Sequence, residues 1–267
     1  MSTTPGLRVI PPRFQPRVWG ALDLSAWYPE RGREAEPVGE AWLSPPNCPV
    51  LIKLLFPRER LSVQVHPDDG YAAAHGLGRG KSEAWYVVEA EAGAQLGVGL
   101  RPEARWEELE AACRAGRGAE LLHWFEVGAG EVIDVPAGPV HALGPGVVLC
   151  EVQQDSDNTF RLDDYGRGRA LHLEQGLAVA RPTTGGKVTP GLAAGTSGLL
   201  LGTEHFRLSR HCLAAGGRLV PAPETRWLVN LQGECAIPRG YGAELAPGSD
   251  LTVASATTLL EARTGAA

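Results

Sequence analysis

The chain has 267 residues, enough for one large core or two modest ones, and all-β chains often reach this length as one compact unit. A 43% hydrophobic content excludes disorder, and a net charge of −6 with no basic cluster argues against nucleic acid as a partner. No apolar run approaches the ~18 residues of a membrane span, and Met1 to Gly20 lacks the apolar stretch of a secretion signal, so a soluble, cytoplasmic protein without a membrane partner is expected. The five cysteines, Cys48, Cys113, Cys150, Cys212 and Cys235, are scattered with no C-x-x-C pair. They read as small buried residues rather than a disulfide framework or thiolate site. Arginine dominates the cations, leaving only Lys53, Lys81 and Lys187 as lysines. In such a chain the retained lysines are positions where a compact ammonium matters.

Glycine and proline, 34 and 21 residues respectively, cut the sequence into short segments. In chain order, strands are predicted at residues 50–56 and 61–66, then a short helical turn over 68–75 and a strand at 84–89. A longer helix is predicted over 102–115, opening on Pro102 with a Glu-rich first half. Strands follow at 131–135 and 147–153, and a Gly, Thr, Pro and Ala-rich linker covers 181–197. Beyond it, strands are predicted at 206–209, 226–231, 234–237 and 250–253. Lys53 sits in the apolar 50–56 run and is expected to point inward and to be paired. The pattern is mainly β, with few short helices. It divides into a larger β-unit over 1–183 and a smaller β-unit over 195–267.

The chemistry concentrates in three clusters. In Leu-Ser-Val-Gln-Val-His, residues 61–66, the period-two alternation of a strand puts Ser62, Gln64 and His66 on one face. Leu61, Val63 and Val65 then occupy the other. In Gly-Lys-Ser-Glu-Ala-Trp-Tyr, residues 80–86, Lys81 and Glu83 share a face by the same rule. The third cluster runs from Gly130 through Pro136 and Gly138 to His141 with the spacing G-x5-P-x-G-x2-H. This spacing matches the second motif of the cupin superfamily, whose tight Pro-x-Gly turn aims the following histidine into a β-barrel. Gln64, His66, Glu83 and His141 together offer two imidazoles and two oxygen donors. That set suits one borderline divalent ion such as Zn²⁺ and also accommodates other divalent ions. His75, His123, His172, His205 and His211 have no such support.

Taken together, the stretches LIKLLFPRERLSVQVHPDD, GKSEAWYVV and VPAGPVHALGPGVVLCEVQQDSDNTFRLDDYGR resemble the type I mannose-6-phosphate isomerases in their short bacterial form. The resemblance spans roughly residues 14–180 in unbroken order. It implies a cupin-type jelly-roll β-barrel followed by a second, smaller, degenerate cupin-like unit. The activity it implies is the interconversion of D-mannose 6-phosphate and D-fructose 6-phosphate through a metal-stabilised enediol, with a small sugar phosphate as partner. Gln64, His66, Glu83 and His141 match the family's zinc ligands. Ser62 and Lys81 match residues of the sugar-phosphate pocket, Arg161 the catalytic arginine, Glu151 an acidic active-site residue and Trp19 an aromatic pocket residue. Proton transfer falls to Glu151, Lys81 or a metal-bound water. Two departures stand out. Val-Trp-Gly-Ala replaces the usual Pro-Trp-Gly-Gly around Trp19, and the inserted helical domain of the longer enzymes is missing. The competing readings are an isomerase or epimerase of another sugar phosphate, using the same metal, and a silent sugar-binding cupin. Oligomeric state is not encoded in any of these motifs.

Overall fold

The computed structural model describes residues 4–183 and 187–265. The strands and helices in chain order are β1 (Leu7–Ile10), β2 (Arg13–Asp23), β3 (Arg33–Trp42), β4 (Val50–Leu55), β5 (Val63–Val65), α1 (Asp69–Ala74), β6 (Glu83–Ala90) and β7 (Gln95–Leu100). Next come α2 (Leu109–Arg114), β8 (Leu122–Glu126), β9 (Val132–Val135), β10 (His141–Leu143), β11 (Val147–Gln154), β12 (Phe160–Asp163), α3 (Leu173–Val179) and β13 (Lys187–Thr189). The remainder are β14 (Gly198–Gly202), β15 (Phe206–Leu213), β16 (Arg218–Leu219), β17 (Arg226–Gln232), β18 (Gly242–Leu245), β19 (Leu251–Thr252) and β20 (Thr257–Thr264). The chain is mainly β, as its punctuation implies, and its sheets are open rather than closed into barrels.

Two compact units are present, one made of Met1–Phe56, Cys150–Val152 and Pro190–Ala267, the other of Pro57–Leu149 and Gln153–Thr189. The break at residue 190 falls inside the predicted linker. The cut nevertheless differs from a 1–183 and 195–267 partition, because residues up to Phe56 group with the C-terminal segment. The physical reason is strand pairing. β1 lies antiparallel along β18, with Leu7 opposite Leu245 and Ile10 opposite Gly242. In this first unit the sheet order is β1-β18-β17-β20-β15-β14. Its core gathers Leu228, Ala243, Leu245 and Leu259 from that sheet with Leu219 and Leu251 of the paired β16 and β19 and Ile237 of the β17–β18 connection.

The predicted strand at 234–237 is not one. Asn230 is fully buried, and its side-chain amide donates to the carbonyls of Gly233 and Ile237 at 3.0 and 2.8 Å. The chain wraps around that amide, which takes the hydrogen bonds a neighbouring strand would have supplied.

The second unit carries the site. One of its sheets has the order β12-β5-β10-β7-β8, and β6, β9 and β13 pair in the other, with Glu83 opposite Val135 and Lys187 opposite Asp134. Val63 and Val65 of β5 are fully buried among Leu100, Leu109, Cys113, Leu162 and Val179. Each contributes about 1.5–3 kcal/mol through burial. That core fixes the register of β5 and turns Ser62, Gln64 and His66 to the opposite face. The predicted 102–115 helix is shorter than expected, a 3-10 turn over Trp106–Glu108 running into α2.

Candidate metal centre

His66, Glu83 and His141 converge, with one potential ligand atom from each lying within 4.8 Å of the others. All three are about 1% exposed. Their placement follows from the strands. His66 leaves the end of β5, Glu83 opens β6, and His141 opens β10 opposite both Gln64 of β5 and Val98 of β7. The turn before His141 depends on Gly138, which has φ +109° and whose amide donates to the His66 carbonyl at 3.1 Å. A residue with a Cβ is strained in that conformation, so the glycine of the motif has a backbone reason.

Both imidazoles are set in one tautomer. The Nδ1–H of His66 donates to the Asn158 carbonyl at 2.9 Å, and that of His141 to the Pro139 carbonyl at 3.0 Å. Each Nε2 is therefore left with its lone pair facing the cluster, the arrangement a metal-ligating histidine needs. Burial keeps both rings neutral. It pushes the His141 imidazole down to about 3, with help from the adjacent His66. Burial likewise lowers His66, the Lys81 charge adds to the effect, and Glu83 opposes it.

Glu83 is equally prepared. Burial acts to raise its carboxyl, but the Lys81 ammonium outweighs that and holds it well below the usual carboxylate range. Its Oε1 accepts from the Trp85 indole at 3.1 Å. Its Oε2 lies 2.8 Å from Lys81 Nζ, yet has no aligned hydrogen bond and is a buried acceptor with an open lone pair. Two neutral imidazoles and one ionised carboxylate with an unspent oxygen fit a divalent transition ion. Gln64 lies beside this trio. Its amide nitrogen is 3.3 Å from His141 Nε2, while Ser62 Oγ donates to its Oε1 at 3.2 Å. A half-turn of the amide would aim Oε1 at the cluster and let the nitrogen donate to Ser62.

The other predicted residues fall into two groups. Lys81 and Ser62 stand beside the ligands, 3% and 4% exposed. Arg161 of β12 is directly opposite Gln64, so the two side chains share a face, and His141, Gln64 and Arg161 form a row across three strands. Its Nη1 donates to the Ala170 carbonyl at 2.8 Å, and its Nε is buried without a hydrogen-bond partner among the described residues. The acidic neighbour Asp164 is taken by Arg167 and Arg169 instead. Burial and the Arg169 charge lower the affinity of the Arg161 guanidinium for its proton.

Glu151 and Trp19 belong to the first unit. There Glu151 Oε1 pairs with Lys53 Nζ at 3.3 Å, both side chains being buried, which is the inward, paired placement expected of Lys53. The Trp19 indole packs so closely on the Gly39 backbone that a Cβ there would meet the ring at 2.7 Å. Trp85 and Asn158 do not appear among the residues picked out by sequence. Trp85 follows Glu83 at strand spacing, so the alternation that groups Lys81 with Glu83 also contains it. Asn158 contributes a backbone carbonyl, which leaves no signature in a sequence. None of the five cysteines is bridged.

No protein-family model matches the chain. Over 137 residues it is 44% identical to mannose-6-phosphate isomerase of Streptococcus mutans, covering 49% of this chain and 43% of that protein. Over 138 residues it is 41% identical to a mannose-6-phosphate isomerase of Bacillus subtilis, again covering 49% of this chain and 44% of the relative. The chain thus matches a little under half the length of these curated relatives. In structure it resembles the mannose 6-phosphate isomerase of Bacillus subtilis with TM-score 0.81 at 21% identity, over 97% of this chain and 99% of that one. It also resembles a mannose 6-phosphate isomerase bound with zinc and yttrium, with TM-score 0.75 at 15% identity, over 98% and 100% of the two chains. The fold is therefore that of the phosphomannose isomerase structures over nearly all of this chain, and over about half of its length the sequence is similar to mannose-6-phosphate isomerases.

Proposed function

We propose that the chain is an aldose–ketose isomerase that interconverts D-mannose 6-phosphate and D-fructose 6-phosphate with one Zn²⁺ held by Gln64, His66, Glu83 and His141. The observation that carries this reading is the convergence of two imidazoles, both with Nε2 lone pairs facing inward, on a carboxylate oxygen that has no hydrogen bond. A silent binding module needs neither that arrangement nor an arginine with an unspent Nε on the same face. The row His141, Gln64, Arg161 supports a centre where metal and guanidinium act on one substrate.

Bound zinc would supply Lewis-acid polarisation of a sugar oxygen. Arg161 faces the charge that develops as the proton moves between C1 and C2, and it stabilises an oxyanion without giving up its own proton. Ser62 and Lys81 bind the anionic substrate. Trp85 holds Glu83, and the Asn158 and Pro139 carbonyls hold the two imidazoles in their ligand orientation. Glu151 is assigned to proton transfer and Trp19 to the pocket on the resemblance alone. The pairing of Glu151 with Lys53 and the packing of Trp19 are the alternatives that Glu151→Gln and Trp19→Phe would decide. The 195–267 segment is assigned no metal, and the enzyme is placed in the cytoplasm because its cysteines are unpaired.

A coupled assay with mannose 6-phosphate, run before and after chelation and after zinc is restored, tests the proposal. Turnover that disappears and returns with the metal supports it. Chelator-insensitive turnover, or none on any phosphorylated hexose, refutes it.

A further inference from the structure

We infer that Lys81 is a built-in counter-cation of the metal centre, whose ammonium competes with the metal ion for the same two donor atoms. Lys81 Nζ lies 3.0 Å from His66 Nε2 and 2.8 Å from Glu83 Oε2. These are the lone pairs left for a metal, because His66 Nδ1 is committed to the Asn158 carbonyl and Glu83 Oε1 to the Trp85 indole. The His66 Nε2 lone pair cannot hold both the Lys81 N–H and a metal ion, and at Glu83 Oε2 the ammonium is the ion-pair partner that a metal ion would replace. Two cations around a single buried carboxylate also repel strongly at this separation.

The backbone on either side of Lys81 is pinned. Its own amide donates to the Pro67 carbonyl at 2.9 Å, the Gly80 amide to Asp69 at 2.7 Å, and the Ser82 amide to the Gln154 side chain at 2.9 Å. A Cβ on Gly80 would come within 2.5 Å of the Asp68–Asp69 backbone, which fixes this segment further. Only the side chain of Lys81 can therefore yield. Metal entry displaces the ammonium, takes over the neutralisation of Glu83, and releases a cation beside the ligands for an anionic substrate. Loading of the metal and readiness of Lys81 become one event, and the ammonium keeps Glu83 paired until that event occurs.

The inference rests on the reading of the cluster as a metal centre, and its test separates the two. Wild type and Lys81→Met are stripped of metal, titrated with Zn²⁺ against a chromophoric chelator, and melted with and without the ion. Lys81→Met should bind Zn²⁺ at least about tenfold more tightly, since no ammonium has to be displaced. Without metal it should melt several degrees below wild type, because Glu83 has lost its partner. With metal the two should melt together. The double variant Lys81→Met/Glu83→Gln, which leaves no unpaired carboxylate, should recover the metal-free melting temperature lost in the single variant. It also keeps the comparison available should the single variant fail to fold without metal. Equal or weaker zinc affinity in Lys81→Met, or a metal-free melting temperature equal to wild type, overturns the inference while the metal reading stands. Failure of wild type and variant alike to take up zinc overturns both.

Discussion

His66 and His141 each spend one ring nitrogen on a backbone carbonyl, and that choice decides what the other nitrogen can do. Replacing either ring with alanine should lower zinc affinity by more than the ~10–100-fold typical of changes to supporting residues. Elemental analysis should show the loss, and far-ultraviolet circular dichroism should stay close to wild type. Arg161 makes a different prediction because it stands beside the ligands without being one. Arg161→Ala should retain zinc and lower kcat by about a hundredfold or more with little change in KM, as expected for a group that meets charge only in the transition state. Arg161→Lys should not restore the rate, since an ammonium lacks the planar fork. A normal kcat with raised KM would move Arg161 to ground-state binding. The ligand face of β5 was legible in sequence because alternation is local, and the core around Val63 and Val65 agrees with it. The pairing of Arg161 with Gln64 was not, because cross-strand register joins residues that no short window contains.

Apart from the eight-residue β6, the strands that carry the site are short. β10 has three residues, too few for a periodicity signal of its own, and β12 has four. His141 was legible all the same because the turn before it has a motif, whereas the strand it opens does not. Gly80 offers a direct check. Gly80→Ala drives a Cβ into rigid backbone, so it should cost about 1–3 kcal/mol in denaturant unfolding, as overpacking does. It should also weaken zinc binding through its neighbours Lys81 and Glu83. After β12, the Asp164 carboxylate accepts from Arg167 at 2.9 Å and Arg169 at 2.8 Å. Burial acts to raise its carboxyl, but the hydrogen bond and charge of Arg169, with Arg167, bring it below the ordinary value of 3.8. A carboxyl lower in the folded state stabilises above its unfolded value and loses that contribution as pH falls through the folded one. Asp164→Asn should thus cost about 1–3 kcal/mol at neutral pH, the range for charged hydrogen bonds. Below pH 3.8 its stability should fall less steeply than that of wild type, as read by unfolding at several pH values.

At the scale of the molecule, composition and punctuation sufficed for a mainly β chain. They could not show that residues up to Phe56 join the C-terminal segment, because nothing local in Leu7–Ile10 names its partner. The 195–267 segment is accordingly not a module that can be cut away. Expressed alone it lacks β1 from its sheet and the whole of residues 1–56 from its unit, and it should give an unfolded, poorly dispersed amide spectrum. A dispersed spectrum would show that the segment folds independently. The same pairing of β1 with β18 bears on synthesis. Leu7–Ile10 leaves the ribosome long before Gly242–Leu245 exists, so a strand made early waits for one made much later. Closing so long a loop is slow, and an unpaired edge strand is exposed to wrong partners in the meantime. The second unit, whose sequence lies between those two strands, can form its ligand cluster while the first is still incomplete. Arrested nascent chains ending shortly after residue 189 should therefore already protect the metal site, whereas protection of β1 should appear only once β18 has emerged.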